Sequence, residues 1–269
     1  MTETAKSRHT RGESKKRLPF VRLRAYNALM GFLHLVQGAF MLALSTAFAL
    51  PVTSAFLRLE PASGKLEPFS DTLVELRIGL LVAAFLFLSA AAHLLVAAPR
   101  IHRWYERNVA RGINPARWIE YSLSASLMIV VVAMLVGIYD IASLLLIFAL
   151  NATMILFGWL MELHNQPTAR TNWTAFWFGT LAGAIPWVAI GFYLLGAGSG
   201  EGGPPTFVYG IFGSIFLVFN VFAVNMVLQY KRVGPWRDYI FGERVYVLLS
   251  LTAKSLLAWQ VFAGTLRPV

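Results

Sequence analysis

The sequence predicts an all-α membrane protein: a bundle of seven transmembrane helices with a short β-hairpin in the first outside loop. Of its 269 residues, 57% are apolar and only 13% are charged, and the mean hydropathy is +0.62. This composition is too apolar for a soluble domain of this size. Because the chain has no cysteine, disulfide frameworks, thiolate metal sites and cysteine nucleophiles are excluded.

Seven apolar segments are long enough to cross a bilayer, since about 20 apolar residues span the hydrocarbon core as a helix. Six runs without Asp, Glu, Lys or Arg cover residues 25–57, 78–99, 121–139, 141–161, 171–200 and 202–230. A seventh run, 245–266, contains Lys254 as its single charged residue. We place the seventh helix at about 242–265, because helix ends are uncertain by a few residues. The predicted organisation is an N-terminal tail of residues 1–24, a transmembrane domain of residues 25–265 and a C-terminal tail of residues 266–269.

The distribution of Lys and Arg predicts the orientation. Of the 23 basic residues, 18 fall in the N-terminal tail and in the loops on the same side, and three fall on the other side. Positively charged loops stay in the cytoplasm, so we expect the N-terminus inside the plasma membrane and the C-terminus outside. We assign the basic tail to topology and to attraction for anionic lipid, and we expect no nucleic-acid partner.

The first outside loop, about residues 51–71, is the only extramembrane segment that is long and mixed enough to fold. It contains charged residues of both signs and the sequence Pro-Ala-Ser-Gly at 61–64, which is typical of a turn. We therefore predict a short hairpin here. Neither a soluble domain nor an internal repeat is visible.

Four ionisable residues lie within the predicted spans: His34, His93, Glu120 and Lys254. Such groups are costly in lipid and indicate a functional site. Lys254 lies about 12 residues into the seventh span, near the middle of the membrane at a rise of 1.5 Å per residue. Burial favours the neutral amine, which forms a Schiff base with an aldehyde, and retinal is the aldehyde that fits a seven-helix bundle. The alternative is a lysine that pairs with a carboxylate for packing alone.

Glu120 is the only acid that we find well inside a span, so it is the predicted counter-ion of a cation at Lys254. At helical spacing it shares a face of the third span with Arg117 and Ser124. The third and seventh spans both begin on the basic side, and side chains lean toward the start of their helix, so Lys254 and Glu120 can approach each other. The alternative is that Glu120 pairs with Arg117 at the level of the lipid headgroups.

His34 and His93 fall in the same half of the bundle as Glu120, so the three residues form one predicted polar cluster. A single histidine in a membrane helix is more often a packing residue. The outward half of the third, fifth, sixth and seventh spans carries no Asp, Glu or His. A proton can therefore be held inside the protein but has no evident exit.

Several longer motifs occur in order along most of the chain. They are Phe-Leu-His-Leu-Val-Gln at 32–37, Arg-Trp-Ile-Glu-Tyr-Ser-Leu-Ser at 117–124, Asn-Ala-Thr-Met-Ile-Leu-Phe-Gly-Trp at 151–159, Phe-Trp-Phe-Gly at 176–179, Phe-Val-Tyr-Gly at 207–210, Gly-Glu-Arg at 242–244 and Ser-Leu-Thr-Ala-Lys-Ser-Leu-Leu-Ala-Trp-Gln at 250–260. In these motifs the chain resembles the heliorhodopsins, which are retinal proteins with seven helices in inverted orientation.

The resemblance implies all-trans retinal on Lys254 as a protonated Schiff base, with Glu120 as its counter-ion and Ser250 one helical turn from the lysine. It also implies that His34 and His93 accept the released proton within the protein. The further pocket residues that it implies are Tyr121, Ser124, Met154, Ile155, Gly158, Trp177 and Phe219. A homodimer and a slow photocycle without ion transport are implied as well.

Three functions remain open at this point. We predict a light sensor that signals to a cytoplasmic protein, with neither enzymatic activity nor a metal. The second is a light-driven or light-gated ion transporter. Bacteriorhodopsin-like pumps share the Arg117 to Glu120 spacing, but where they carry two further carboxylates this chain has Val131 and Ser250, which disfavours pumping. The third is a colourless membrane transporter or enzyme in which Lys254 and Glu120 form a structural pair.

Overall fold

The computed structural model describes residues 3–166, 168–198 and 203–266, with side chains from residue 20 onward. Within these ranges the chain forms eight α-helices and one two-stranded sheet. The elements are α1 (Glu3–Leu44), β1 (Ala49–Glu60), β2 (Lys65–Arg77), α2 (Ile78–Ala97), α3 (Pro99–Val109), α4 (Pro115–Leu135), α5 (Ile141–Asn165), α6 (Thr174–Gly198), α7 (Thr206–Tyr230), a short 3-10 helix (Gly234–Arg237), α8 (Tyr239–Val261) and a π-helical turn (Phe262–Leu266).

All of the described helices except α3 are long and apolar enough to cross a membrane, which confirms the seven predicted spans. The apolar part of α1 is Phe20–Leu44, but the helix itself begins at Glu3, within the predicted N-terminal tail. The last three residues of the predicted C-terminal tail lie outside the described residues.

The predicted hairpin is confirmed, and it is longer than expected. β1 and β2 pair antiparallel from Ala49 opposite Arg77 to Glu60 opposite Lys65. Gly64 closes the turn at φ +66°, a conformation that glycine adopts without strain. α1 ends at Leu44 and β1 begins at Ala49, so the start of the hairpin includes residues of the apolar run 25–57.

Helix α3 is not predicted by the sequence analysis, which treats this segment as a loop. Pro99 occupies its first turn, where a missing N–H costs nothing. His102, Tyr105 and Val109 are buried on one face, and burial raises the pKa of the Tyr105 hydroxyl well above its usual value. We call the end of the bundle that carries α3 and the connections before α4, α6 and α8 the basic end, and the opposite end, with β1 and β2, the hairpin end.

Helix α4 lies at the centre of the bundle. Two thirds (67%) of its most apolar window is buried, more than in any other described span. It begins at Pro115 after Asn114, whose side chain accepts a hydrogen bond from the backbone N–H of Arg117 at 3.1 Å. This cap fixes the first turn of α4, so Arg117, Glu120 and Tyr121 point into the interior near the basic end.

The connection from α4 to α5 is fixed by a second cap. The Asp140 carboxylate accepts hydrogen bonds from the backbone N–H of Ser143 at 2.9 Å and from its hydroxyl at 3.0 Å. These bonds hold the pKa of Asp140 below its usual value. Next to it, the backbone N–H of Thr53 on β1 donates to the carbonyl of Tyr139 at 2.9 Å, so the hairpin is tied to the start of α5.

Candidate functional site: a buried lysine on an apolar cavity

Lys254 on α8 and Glu120 on α4 form a buried ion pair. The Lys254 Nζ lies 3.2 Å from Glu120 Oε1, and the two side chains are only 3% and 6% exposed. The same ammonium donates a hydrogen bond to Ser250 Oγ, one turn earlier on α8, at 2.8 Å. The Tyr121 ring lies beside it, with 5.0 Å between Nζ and the ring centroid. The structure thus brings these four sequence-predicted residues together.

Glu120 has a partner that the sequence analysis does not identify. The Ser89 hydroxyl on α2 donates to Glu120 Oε1 at 2.5 Å, so a second helix holds the carboxylate that faces Lys254. Ser124 lies one turn along α4 and is fully buried. Among the described residues its Oγ has no hydrogen-bond partner. The alternative pairing of Glu120 with Arg117 is not formed, because Arg117 binds two other carboxylates described below.

The two predicted histidines stack on each other beside this pair. The His34 and His93 rings lie 5.6 Å apart with an interplanar angle of 7°, and His93 Nδ1 lies 2.8 Å from Asn27 Oδ1. Within the described part of the chain, both His34 ring nitrogens and His93 Nε2 have no hydrogen-bond partner. Neutral imidazole offers one acceptor nitrogen, so this pair can receive protons.

An apolar cavity of about 300 Å³ opens beside Lys254. Its volume is at the lower end of the range for small-molecule sites, and the apolar lining with a few polar groups is typical of them. The sequence-predicted residues on its wall are Tyr121, Met154, Ile155, Gly158, Phe219, Ser250 and Lys254. Wall residues that the sequence analysis misses include Trp118, Met128, Phe176, Trp187, Phe222 and Met226.

The glycines of this cavity allow its walls to pack closely. A Cβ atom at Gly158 would meet the Trp118 ring, and one at Gly183 would meet the Met154 side chain. Trp118 and Met154 are themselves wall residues, so larger side chains at either glycine would push them into the cavity. The flat aromatic walls and the amine at one edge fit a long, apolar aldehyde such as retinal.

Trp177, which we expected in the pocket, lies outside the wall of the cavity. Its side chain is 64% exposed and does not line the cavity. Phe176 occupies the wall instead, and the next residue of a helix is rotated by about 100°. Trp187, about three turns further along α6, supplies the buried tryptophan, with its ring 5.6 Å from that of Phe219.

Two buried acids escape the sequence analysis, which names Glu120 as the only acid well inside a span. Glu162 near the end of α5 and Glu243 early in α8 are 3% and 0% exposed. Both bind Arg117: Nη2 donates to Glu162 Oε1 at 2.5 Å, and Nη1 donates to Glu243 Oε1. We call Arg117, Glu162 and Glu243 the carboxylate cluster. Glu162 directly follows the charge-free run 141–161, and Glu243 precedes the run 245–266. Both acids therefore lie at the ends of predicted spans and were not recognised as buried.

Solved structures with this fold include two microbial rhodopsins. The light-driven proton pump LR (Mac) from Leptosphaeria maculans has a TM-score of 0.62 and 12% identity, with 90% of this chain and 95% of that chain covered. Exiguobacterium sibiricum rhodopsin has a TM-score of 0.54 and 13% identity, with 90% and 96% covered. Identities this low establish the fold alone.

Comparison with curated proteins finds no match. The heliorhodopsin family, in contrast, matches residues 23–266. This range includes all seven apolar spans apart from the first three residues of the first, as well as the lysine, the glutamate and the cavity between them. The chain therefore belongs to the heliorhodopsin family.

Proposed function

We propose that this heliorhodopsin is a light sensor that holds all-trans retinal on Lys254, with Glu120 as the counter-ion. The family and the rhodopsin fold support a retinal photoreceptor-type membrane protein. The observation that carries the finer proposal is the buried pair of Lys254 and Glu120 on the wall of an apolar cavity. An amine in such a place is desolvated and available as a nucleophile.

When bound, retinal supplies a polyene that absorbs visible light and isomerises. The Lys254 amine would hold it covalently by condensing with the aldehyde and releasing water, and Glu120 would stabilise the positive charge on that nitrogen. Ser89 holds the carboxylate from α2 with its 2.5 Å hydrogen bond. Ser250 keeps the nitrogen at the α8 side of the cavity. These contacts connect α2, α4 and α8 to one ion pair, so a change in the charge of this pair alters the interactions of all three helices.

The proton of the Lys254 nitrogen would pass to Glu120, and His34 and His93 beside it would be further proton acceptors. The support is the set of ring nitrogens without a partner among the described residues. Every buried carboxyl within the described ranges, namely Glu120, Glu162 and Glu243, lies in the half of the bundle nearer the basic end. A proton taken up here has no buried acid to reach toward the hairpin end, which favours sensing over transport.

The excess of Lys and Arg supports a cytoplasmic basic end, with the N-terminus inside the plasma membrane. A cytoplasmic signalling protein would then read the light-induced state at this end. We further propose that the protein works as a homodimer, as the resemblance to the family implies.

Replacing Glu120 with Gln is expected to shift the visible absorption band to longer wavelength. A carboxylate next to the Lys254 nitrogen stabilises the ground state, whose positive charge is concentrated there, by Coulomb attraction. The measurement is an absorption spectrum of each purified variant with bound retinal. Glu120→Asp, which keeps the charge, should shift the band less, and Glu67→Gln on the exposed hairpin should not shift it. An unshifted band in Glu120→Gln would rule out this residue as the counter-ion.

Illumination of lipid vesicles that contain the protein is expected to produce no sustained pH change. The reason is that the proton is held within the basic half of the bundle. The external pH is recorded with and without a protonophore, beside vesicles that contain a light-driven proton pump as the positive control. A sustained pH change that the protonophore abolishes would show that the protein is a light-driven proton pump and not a sensor.

A further inference from the structure

The two carboxyl groups of the carboxylate cluster differ in their hydrogen-bond donors. Glu162 receives four. Its Oε1 accepts from Arg117 Nη2 and from the Tyr239 hydroxyl, at 2.5 and 2.8 Å. Its Oε2 accepts from the backbone N–H of Asn114 and from Trp118 Nε1, at 2.9 and 2.6 Å. Four donors satisfy the lone pairs of an ionised carboxylate.

Within the described ranges Glu243 receives two donors. Its Oε1 accepts from Arg117 Nη1, and its Oε2 accepts from Asn114 Nδ2 at 2.7 Å. The side chain is fully buried. An ionised carboxylate with half of its acceptor capacity unused pays a large desolvation cost in such a site. A protonated carboxyl at the same place does not.

The charges of the cluster do not balance if both acids are ionised. Among the described residues, Arg117 is the only cation within salt-bridge distance of either carboxyl group. The titratable side chains that face the cluster are the neutral phenols of Tyr105 on α3, Tyr121 on α4, Tyr230 on α7, and Tyr239 and Tyr246 on α8. Two buried carboxylates against one guanidinium would leave an uncompensated negative charge.

We propose that Glu243 carries a proton in the dark, so that Arg117 and ionised Glu162 form a neutral pair and Glu243 is a second proton site of the protein. It is separate from the Lys254 and Glu120 pair, which lies deeper in the bundle. The motivating observations are the number of donors on each carboxyl group and the single cation between them.

A small cavity is lined by Glu120 of the first site and by Arg117 of the carboxylate cluster. The cavity has a volume of about 30 Å³, and its wall includes His93 and Glu120 on one side and Asn114 and Arg117 on the other. The Tyr105 hydroxyl and Arg117 Nε have no hydrogen-bond partner among the described residues. Arg117 lines this cavity together with Glu120 and also binds Glu243, so the charge of Glu120 acts on Glu243 from the neighbouring site.

The light-dependent part of the inference rests on the proposed function. When Glu120 takes the proton of the Lys254 nitrogen, both charges of the pair disappear. The electric field of the pair at the Glu243 carboxyl therefore changes, so the O–H and C=O bonds of Glu243 should respond. The dark protonation of Glu243 does not depend on this step.

Infrared spectroscopy of the full-length protein, with its glutamate carboxyl carbons isotope-labelled, tests the proposal. At neutral pH exposed glutamates are ionised, because their pKa is about 4. The dark wild type should show one C=O band of a protonated glutamate, identified by its isotope shift. Glu243→Gln should lose this band. Glu243→Asp should also lose it, because aspartate does not carry the label, whereas Glu162→Asp keeps the anion beside Arg117 and should retain the band. In light-minus-dark spectra the band should shift in the wild type and be missing in Glu243→Gln.

Two results would overturn the proposal. One is a dark wild type without a protonated-glutamate band, which needs no variant and so does not depend on how well a variant folds. The other is a band that survives in Glu243→Gln. Failure of the proposed function looks different: with no retinal bound, the light-minus-dark spectra are flat in every protein, while the dark band still reports on Glu243.

Discussion

Lys254→Ala is expected to abolish the visible absorption band of protein that is expressed with all-trans retinal. Lys254 is the only lysine on the described wall of the apolar cavity, and its Nζ is the one amine there that can bond to an aldehyde. The expected loss is the whole band, since retinal without a covalent link would be removed during purification. The measurement is an absorption spectrum of wild type and variant, purified identically.

Lys231→Ala is the matched control, because Lys231 is exposed just after α7 and should leave the band unchanged. A visible band in Lys254→Ala would place the attachment site elsewhere. A well-folded wild type without colour would show that Lys254 and Glu120 form a structural ion pair. The protein would then be a transporter or enzyme that does not respond to light.

Arg117→Met is expected to destabilise the protein by about 3–5 kcal/mol, the usual cost of removing one partner from a buried ion pair. Methionine keeps most of the length of the side chain but leaves the carboxylate of Glu162 without a cation. The guanidinium also stacks on Trp118 and Tyr246, with its Cζ 4.3 and 4.0 Å from the ring centroids. Because these contacts join α4, α5 and α8, thermal unfolding in detergent should show a clearly lower midpoint.

Arg107→Met provides the comparison for this experiment. Arg107 lies on the exposed face of α3, and its Nε donates only to the backbone carbonyl of Arg103. Substitutions at such surface positions change stability by about 0.5 kcal/mol or less. Equal unfolding midpoints for Arg117→Met and Arg107→Met would show that the carboxylate cluster does not stabilise the bundle.

Hydropathy alone is enough to predict the seven spans of this protein, because a lipid environment demands long apolar helices, and the turn sequence Pro-Ala-Ser-Gly predicts the hairpin. Hydropathy does not predict α3, whose buried His102, Tyr105 and Val109 alternate with arginines in a segment too short and polar to span a membrane. The pairing of Lys254 with Glu120 was also predictable, since few charged groups are present and both side chains lean toward the basic end.

The remaining parts of the site depend on helix rotation and packing. Glu162 and Glu243 look like ordinary residues at the ends of spans, and only the folded bundle shows that both turn inward to Arg117. Phe176 and Trp177 are equally apolar neighbours, and only the rotation of α6 decides which one faces the cavity. The stacking of His34 on His93 likewise needs the approach of α1 to α2.

The hairpin end is closed by main-chain hydrogen bonds. Thr46 N–H donates to the carbonyl of Leu266, and Ile78 N–H donates to that of Phe48, at 3.0 and 3.1 Å; the third is the bond from Thr53 to Tyr139. Bonds between backbone atoms do not depend on the identity of the side chain. Evolution can therefore exchange the side chains at Thr46 and Thr53 without breaking these bonds, with the exception of proline, which has no N–H to donate, whereas Ile78 is also constrained by its burial in the core.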